Sequence, residues 1–475
     1  MNNKNNISVK RLNLKLKADP KRVIIPLLYF NRRRGQVLIS KIKKLTEEDV
    51  ENYLSDVIHL YSKRHRDINS ILMKNFSYIS RLFPDISNFS KKRKLLTGSY
   101  FSYEYTFEGA ALFNPSMVPH FDQSGLKEGE KRFIISLRST GEGHISSITF
   151  RTGMVNERGD VTLDENPIYS NCSVKAPVKT YSKEFIKDRI SYFENIDNKL
   201  IDKLPEQFTE NEAQIYLQKI NKNNTITKDV VLEIIDSNYD IEFPDNTPLN
   251  ESVIFPNAKI ENKGLEDARF VKFSDNDTTS YYATYTAYNG FKIKVQLIET
   301  NDFIKFKIRT LYGAGVQDKG MALFPEKING KYAMITRQGG YQLNIMYSDN
   351  LYFWNDFSPL LLPERSWELV QIGNCGSPIK TKKGWLLLTH AVGPVRRYVI
   401  SAALLDLKDP SKVISTLEYP LMEPTESERN GYVPNVLYSC GSMLNKDKLI
   451  IPYAMSDSAT EFAVLDIDNL LNALS

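Results

Sequence analysis

The feature that most constrains this 475-residue chain is a recurring hairpin whose second strand is apolar and closes on a polar residue. The segments are RFIISLR ending at Arg138, SYYATY at Tyr285, KYAMITR at Arg337, GWLLLTH at His390 and LIIPYAMSD at Asp457. From Tyr285 onward these ends fall 52, 53 and 67 residues apart. Even the lead-ins repeat, Cys375-Gly376-Ser377 matching Cys440-Gly441-Ser442. Units of about 40–50 residues with four short strands mark propeller blades. A single β-sandwich would not produce the same unit five times. The reading is a mainly β protein, a five-bladed β-propeller; the repeat alone leaves open a β-solenoid with irregular coils.

Two stretches break the pattern. The longer gap between Arg138 and Tyr285 holds a helical insertion at about 183–235, with Thr209-Glu210-Asn211-Glu212 as a capping box. Near the N-terminus, Val23–Phe30 predicts a strand, placed at an edge by Pro26. Thr46, followed by Glu47, Glu48 and Asp49, predicts a helix start. Apolar residues from Val50 to Ile79 recur at helical spacing, predicting one long helix or two in series over 46–82. The expected domains are 1–100, a basic strand plus helical extension, and 101–475, the propeller.

Charge is uneven along the chain. Residues 1–100 carry 22 Lys/Arg against 8 Asp/Glu, and the remainder 40 against 49, so the net +5 says little about substrate. The apolar stripe of the extension needs burial, and its cations suit an acidic surface. It is expected to dock on the body or on a neighbouring subunit, giving a homo-oligomer, and not to act as a nucleic-acid arm. Three cysteines (Cys172, Cys375, Cys440) are too few for a disulfide framework or a Cys-based zinc site. A polar N-terminus without a signal-peptide core, and no apolar run of about 18 residues, lead to the expectation of a cytoplasmic protein with no membrane partner.

Equivalent positions of successive blades face one central channel, so residues at the same place in each repeat should converge. One ring is Arg138, Tyr285, Arg337, His390 and Asp457. A second, at the entry to each first strand, is Asn114, Glu266-Asp267-Arg269, Lys319, Asn374 and Asn435. Cations, carboxylates and amides in a concave site suit a polyhydroxylated sugar plus an anion. No Gly-rich phosphate loop and no histidine pair at metal-ligand spacing is present, so no cofactor or metal is expected.

Lys263-Gly264-Leu265-Glu266-Asp267-Ala268-Arg269 resembles the Gly-x-Glu-Asp-Pro-Arg signature of glycoside hydrolase family 130, β-mannoside phosphorylases and some β-mannosidases built as five-bladed propellers. LFNPSMVPH, DKGMALFPEKINGKYAMITR, IGNCGSPIKTKKGWLLLTHAVG and GYVPNVLYSCG extend the resemblance over most of 100–475. It implies inverting phosphorolysis of a β-mannoside to mannose 1-phosphate and a shortened sugar, with inorganic phosphate as co-substrate. Asp267 matches the general acid. Arg138, Lys319, Arg337 and His390 are the candidate phosphate ligands. Asn114, Glu266, Arg269, Tyr285 and Asp457 are candidates for mannosyl hydroxyls. Ala268 stands where the motif has Pro, and Thr336 where phosphorylases commonly carry a His, unless His390 or His144 substitutes. The alternative is an inverting β-mannosidase, which needs a carboxylate base, with Glu368 and Glu428 as candidates. A non-catalytic carbohydrate-binding propeller is the remaining reading.

Overall fold

Alternating apolar residues with turn signals between them build four-stranded antiparallel meanders, five in all, in a computed structural model that describes residues 7–176, 179–218 and 225–474. The first runs Ala111–Pro119, Lys131–Thr140, Ser146–Val155 and Val161–Leu163. The second runs Gly264–Asp275, Thr278–Tyr288, Ile293–Thr300 and Lys305–Thr310. The third is Ala322–Leu323, Tyr332–Thr336, Leu343–Ser348 and Phe357–Leu361. The fourth is Gln371–Asn374, Trp385–Val392, Tyr398–Leu405 and Val413–Thr416. The fifth takes Leu437–Tyr438, Lys448–Met455 and Ala459–Asp466 from the C-terminal end and its outer strand, Lys10–Leu16, from the other end of the chain. The protein is mainly β.

Among the described residues no sheet closes on itself, but hydrogen bonds link the meanders in cyclic order. Phe270 N–H donates to Ser116 Oγ (2.9 Å) and Ser274 N–H to the Pro325 carbonyl (2.9 Å). Ile372 N–H donates to Tyr341 (2.9 Å), Tyr398 N–H to Asn435 (2.9 Å), and Cys440 N–H to Pro115 (2.8 Å), which returns to the first meander. Apolar clusters fill the spaces between neighbouring sheets. One joins Leu112, Ile135 and Leu137 to Ile450 and Phe462, and another joins Phe324 and Ile345 to Trp385 and Leu405.

The N-terminal extension departs from expectation in two places. Only Val23–Ile24 of the apolar run is a strand, paired with Tyr105–Thr106; Pro26 offers no N–H to prolong the ladder. The longer strand is Lys10–Leu16, where Leu12, Leu14 and Leu16 alternate onto the core beside Met443 and Phe462. The helical stretch is two helices, Glu47–Tyr61 and Ile68–Leu82, each with its own cap. Arg32–Lys43 and Lys91–Tyr100 are helical as well. Cations of the extension do meet carboxylates of the body: Arg11 with Glu428 (2.8 Å), Lys15 with Glu461 (3.0 Å), Arg66 with Glu251 (2.5 Å), and buried Arg22 with Glu108.

The insertion contains Lys183–Ile190, Asn198–Asp202, Glu210–Gln218 and Thr225–Asp236 around a core of its own. Its capping box is formed, Glu212 accepting from Thr209 N–H at 2.8 Å. The part of that stretch at 219–224 lies outside the described residues. No helix among the described residues is long and apolar enough to cross a membrane.

Candidate active site

The chemistry gathers where two strands bulge. In the first meander the register slips between Phe113 and Ser116; in the second, between Glu266 and Arg269. An extra residue in a strand re-aims its side chain. The bulged residues are Asn114 (φ 48°) and Asp267 (φ 57°). Asn and Asp tolerate this left-handed region better than other side chains. Asn114 Nδ2 donates to Asp267 Oδ1 at 2.7 Å.

Asp267, Asn114, Arg138, Lys319, Arg337, His390 and Asp457 line one cavity of about 240 Å³, together with Gln371, Arg396, Tyr398 and Tyr438. Residues about 340 positions apart thus share one polar concavity, as the repeat argument requires. Glu266 stands just behind it, accepting from Arg138 Nη2 (2.8 Å) and from Lys319 Nζ (2.6 Å). Arg138 also reaches Asp267 Oδ1 (3.2 Å) and Ser146 Oγ (2.9 Å). Arg269 is buried beneath the bulge. It donates to the Asp267 carbonyl (2.9 Å), the Asn374 side chain (3.2 Å) and the Tyr438 hydroxyl (2.7 Å). It braces the bulge that carries Asp267.

Burial alone would raise the Asp267 carboxyl, but Arg138, Arg269, the Asn114 hydrogen bond and Lys319 outweigh it and hold the group below its ordinary value. Asp457 goes the other way. Burial and the charge of Asp267 push it up to about 6, against the opposing pull of Arg138 and Arg396. Burial, then Arg337 and Arg269, press the His390 imidazole well below its usual value, so it stays neutral. Its Nδ1 lies 3.2 Å from the Asn374 carbonyl, while Nε2 faces Arg337 Nη1 (3.5 Å) and Gln371 Nε2 (3.4 Å). A carbonyl demands an N–H, so the proton belongs on Nδ1 and Nε2 accepts. Arg337 Nε is buried with no hydrogen-bond partner, as is Asn114 Oδ1.

Tyr285 is not part of this cavity. Its hydroxyl donates to Glu261 Oε1 at 2.6 Å inside the apolar core of the second meander. Phe113 pairs with Arg138 one step before its bulge, and Glu266 pairs with Thr286 one step before the matching bulge. Thr286 is therefore the counterpart of Arg138. A slip of one residue in a strand moves a side chain to the opposite face. Asn435 does not line the cavity either; its Oδ1 accepts from Arg429 Nε at 2.7 Å.

The two candidate bases are spent elsewhere. Glu368 accepts from the backbone N–H groups of Glu364 and Arg365, both at 3.1 Å. Glu428 is held by Arg11, Thr425 and Tyr453. Neither lines the cavity. His144 sits against the Tyr432 ring, 5.4 Å between centroids, and also lies off the cavity lining. Thr336 turns inward to Gln338 (2.7 Å), so that position supplies no ligand here. Sequence reasoning missed Gln371, Arg396, Tyr398 and Tyr438. The available signal was the Gly-Pro-Val-Arg-Arg turn following His390, which marks a loop at the same end as the strand ends.

A family described as beta-1,4-mannooligosaccharide phosphorylase matches residues 210–475. A 1,2-beta-oligomannan phosphorylase of Thermoanaerobacter sp. is 36% identical over 227 residues, 47% of this chain and 75% of that protein. A beta-1,2-mannobiose phosphorylase of Listeria innocua is 31% identical over 228 residues, 46% of this chain and 63% of that one. Among solved structures, beta-1,2-mannobiose phosphorylase from Listeria innocua aligns with a TM-score of 0.48 at 23% identity, covering 78% of this chain and 93% of that one. The class so defined is the glycoside phosphorylases. The chain belongs to glycoside hydrolase family 130.

Proposed function

We propose that the protein splits a β-mannoside with inorganic phosphate, inverting the anomeric centre to release mannose 1-phosphate and a shortened sugar. The observation that carries this reading is the bulged Asp267, set among Asn114, Arg138 and Lys319 in a cavity that also holds Arg337. A phosphate oxygen attacks the anomeric carbon, the glycosidic C–O bond breaks, and the leaving oxygen takes a proton supplied by Asp267, directly or through a sugar hydroxyl. Phosphate needs no carboxylate base to activate it, which fits a cavity that neither Glu368 nor Glu428 enters.

Surrounding cations hold Asp267 ionised. A phosphate dianion drawn to those cations offsets their pull and raises the carboxyl toward protonation, so the nucleophile helps charge the acid. Arg138, Lys319 and Arg337 hold the anion, with His390 orienting Arg337 through its accepting Nε2. Asn114 and Asp457 face mannosyl hydroxyls, and Glu266 and Arg269 fix the groups in front of them. The five meanders are the blades of a propeller over 101–475 that borrows Lys10–Leu16 as its last outer strand, interrupted by the helical insertion, and the rest of residues 1–100 form an extension that shapes a homo-oligomer. The reaction needs no cofactor beyond phosphate, and the cytoplasm supplies that ion.

Incubating the protein with β-1,2-, β-1,3- and β-1,4-mannobiose, with and without phosphate, tests the reading. Mannose 1-phosphate should form only when phosphate is present. Free mannose released equally fast without phosphate would overturn it.

A further inference from the structure

Two turns of the fold share one shape. Gly141–Ile145 links the second and third strands of the first meander, and Gly393–Arg397 does so in the fourth. Their leading glycines have φ/ψ of −110°/−157° and −112°/−158°, and each turn is closed by a hydrogen bond between its first N–H and its last carbonyl, at 3.2 and 3.0 Å. Inside, two successive residues are left-handed: Gly143 (φ 66°) and His144 (φ 58°) in one, Val395 (φ 55°) and Arg396 (φ 55°) in the other. Glycine accepts that backbone freely, whereas a β-branched residue is strained in it. Val395 is 94% exposed, so packing does not offset the strain. Strain of this kind persists where surrounding structure holds it, and it concentrates at functional sites.

The strained turn delivers Arg396 to the cavity wall. The charges there are mostly spoken for. Arg138 is paired with Glu266 and Asp267, and Lys319 with Glu266. Arg269 is committed to Asn374, Tyr438 and the Asp267 carbonyl. Among the described residues the Arg337 side chain meets only His390 and keeps Nε unpartnered. Arg396 forms no hydrogen bond or ion pair with any described residue. Asp457 feels its charge without reaching ion-pair distance.

We propose that Arg396 and Arg337 are the guanidinium pair that first captures the phosphate co-substrate at the cavity mouth, before Arg138 and Lys319 share in holding it, and that the Gly393–Arg397 turn is held left-handed to aim Arg396. This rests on the phosphorylase reading above. Arg396 would replace the cation-side ligand lost at Thr336, and two unpaired guanidinium groups suit a doubly charged oxyanion.

The test is calorimetric titration of the full-length protein with inorganic phosphate alone, joined to steady-state kinetics. Arg396→Gln should weaken phosphate binding about tenfold or more and raise KM for phosphate to match, leaving KM for the mannoside within about twofold. Arg396→Lys should recover part of the loss. Val395→Gly should melt at a higher temperature yet bind phosphate less well, because relief of strain frees the turn. Unchanged phosphate affinity in Arg396→Gln overturns the proposal, as does a rise confined to the mannoside KM. Unchanged phosphate affinity in Val395→Gly overturns the role of the turn. If the wild-type protein binds no phosphate, the functional reading fails first, and the two failures are thereby told apart.

Discussion

Asn114 donates a 2.7 Å hydrogen bond to Oδ1 of Asp267, and each of the two residues occupies the left-handed position of the bulge in its own strand. One repeat therefore positions the acid of the next. The bond stabilises the carboxylate, so Asn114→Ala should raise the Asp267 carboxyl. A depressed native carboxyl contributes stability above its unfolded value and loses it as pH falls through the native one. In Asn114→Ala that acid loss should be smaller and complete at higher pH, and kcat should fall about tenfold because the proposed Asn114 contact to a mannosyl hydroxyl is lost. Acid-unfolding curves and a pH–rate profile check both.

Removing the acid itself should be far more damaging. Asp267→Asn keeps the size of the side chain and its contact with Arg138 while deleting the proton donor. A fall in kcat of about 10²–10⁴-fold is expected, with the melting temperature lowered because the carboxylate that Arg138, Arg269 and Lys319 favour is lost. Phosphorolysis assays with a mannobiose give the first number and a thermal melt the second. Undiminished turnover would remove Asp267 from the mechanism.

Asp457 titrates in the opposite sense. Its carboxyl is raised to about 6 by burial and by Asp267. A raised carboxyl contributes stability below its unfolded value, near 4, and forfeits it as pH climbs through about 6. Asp457→Asn should match wild-type stability near pH 4 and exceed it above pH 7, by up to about 2 kcal/mol once partial solvation is allowed for. Denaturant midpoints at the two pH values decide it. Activity of the variant should fall if Asp457 faces a mannosyl hydroxyl as proposed.

Tyr285 separates the parity of the strand from its composition. Its hydroxyl bonds Glu261 within the core, so Tyr285→Phe should cost about 1–3 kcal/mol of stability by leaving Glu261 one donor short. KM and kcat should stay at wild-type values. A raised KM for the mannoside with unchanged stability would return Tyr285 to the sugar site.

The outer strand of the fifth meander is another point of control. Leu16 is buried against Met443 and Phe462, and Arg11 pairs with Glu428. Leu16→Ala should cost about 2–3 kcal/mol. Deleting residues 1–18 should cost more and leave Ala459–Asp466 as an open, aggregation-prone edge. Light scattering beside a thermal melt would detect both effects.

Much of this protein was legible from local pattern. Strand alternation, turn residues and a recurring polar strand end marked out the five hairpins, because each depends on residues close in the chain. The Glu266-Asp267 pair and most of the cations around it followed from placing equivalent positions together. Tertiary structure decided the rest. Tyr285 was misplaced because the bulge at Asp267 sets which face each neighbour takes, and a one-residue shift is invisible in composition. The strand Lys10–Leu16 could not be assigned because its partner lies some 450 residues away. Above all, the sequence listed arginines without saying which were neutralised. Only the fold brings Glu266 to Arg138 and Lys319 and leaves Arg337 and Arg396 without a carboxylate among the described residues, because charge pairing is set by distance in space and not by spacing along the chain.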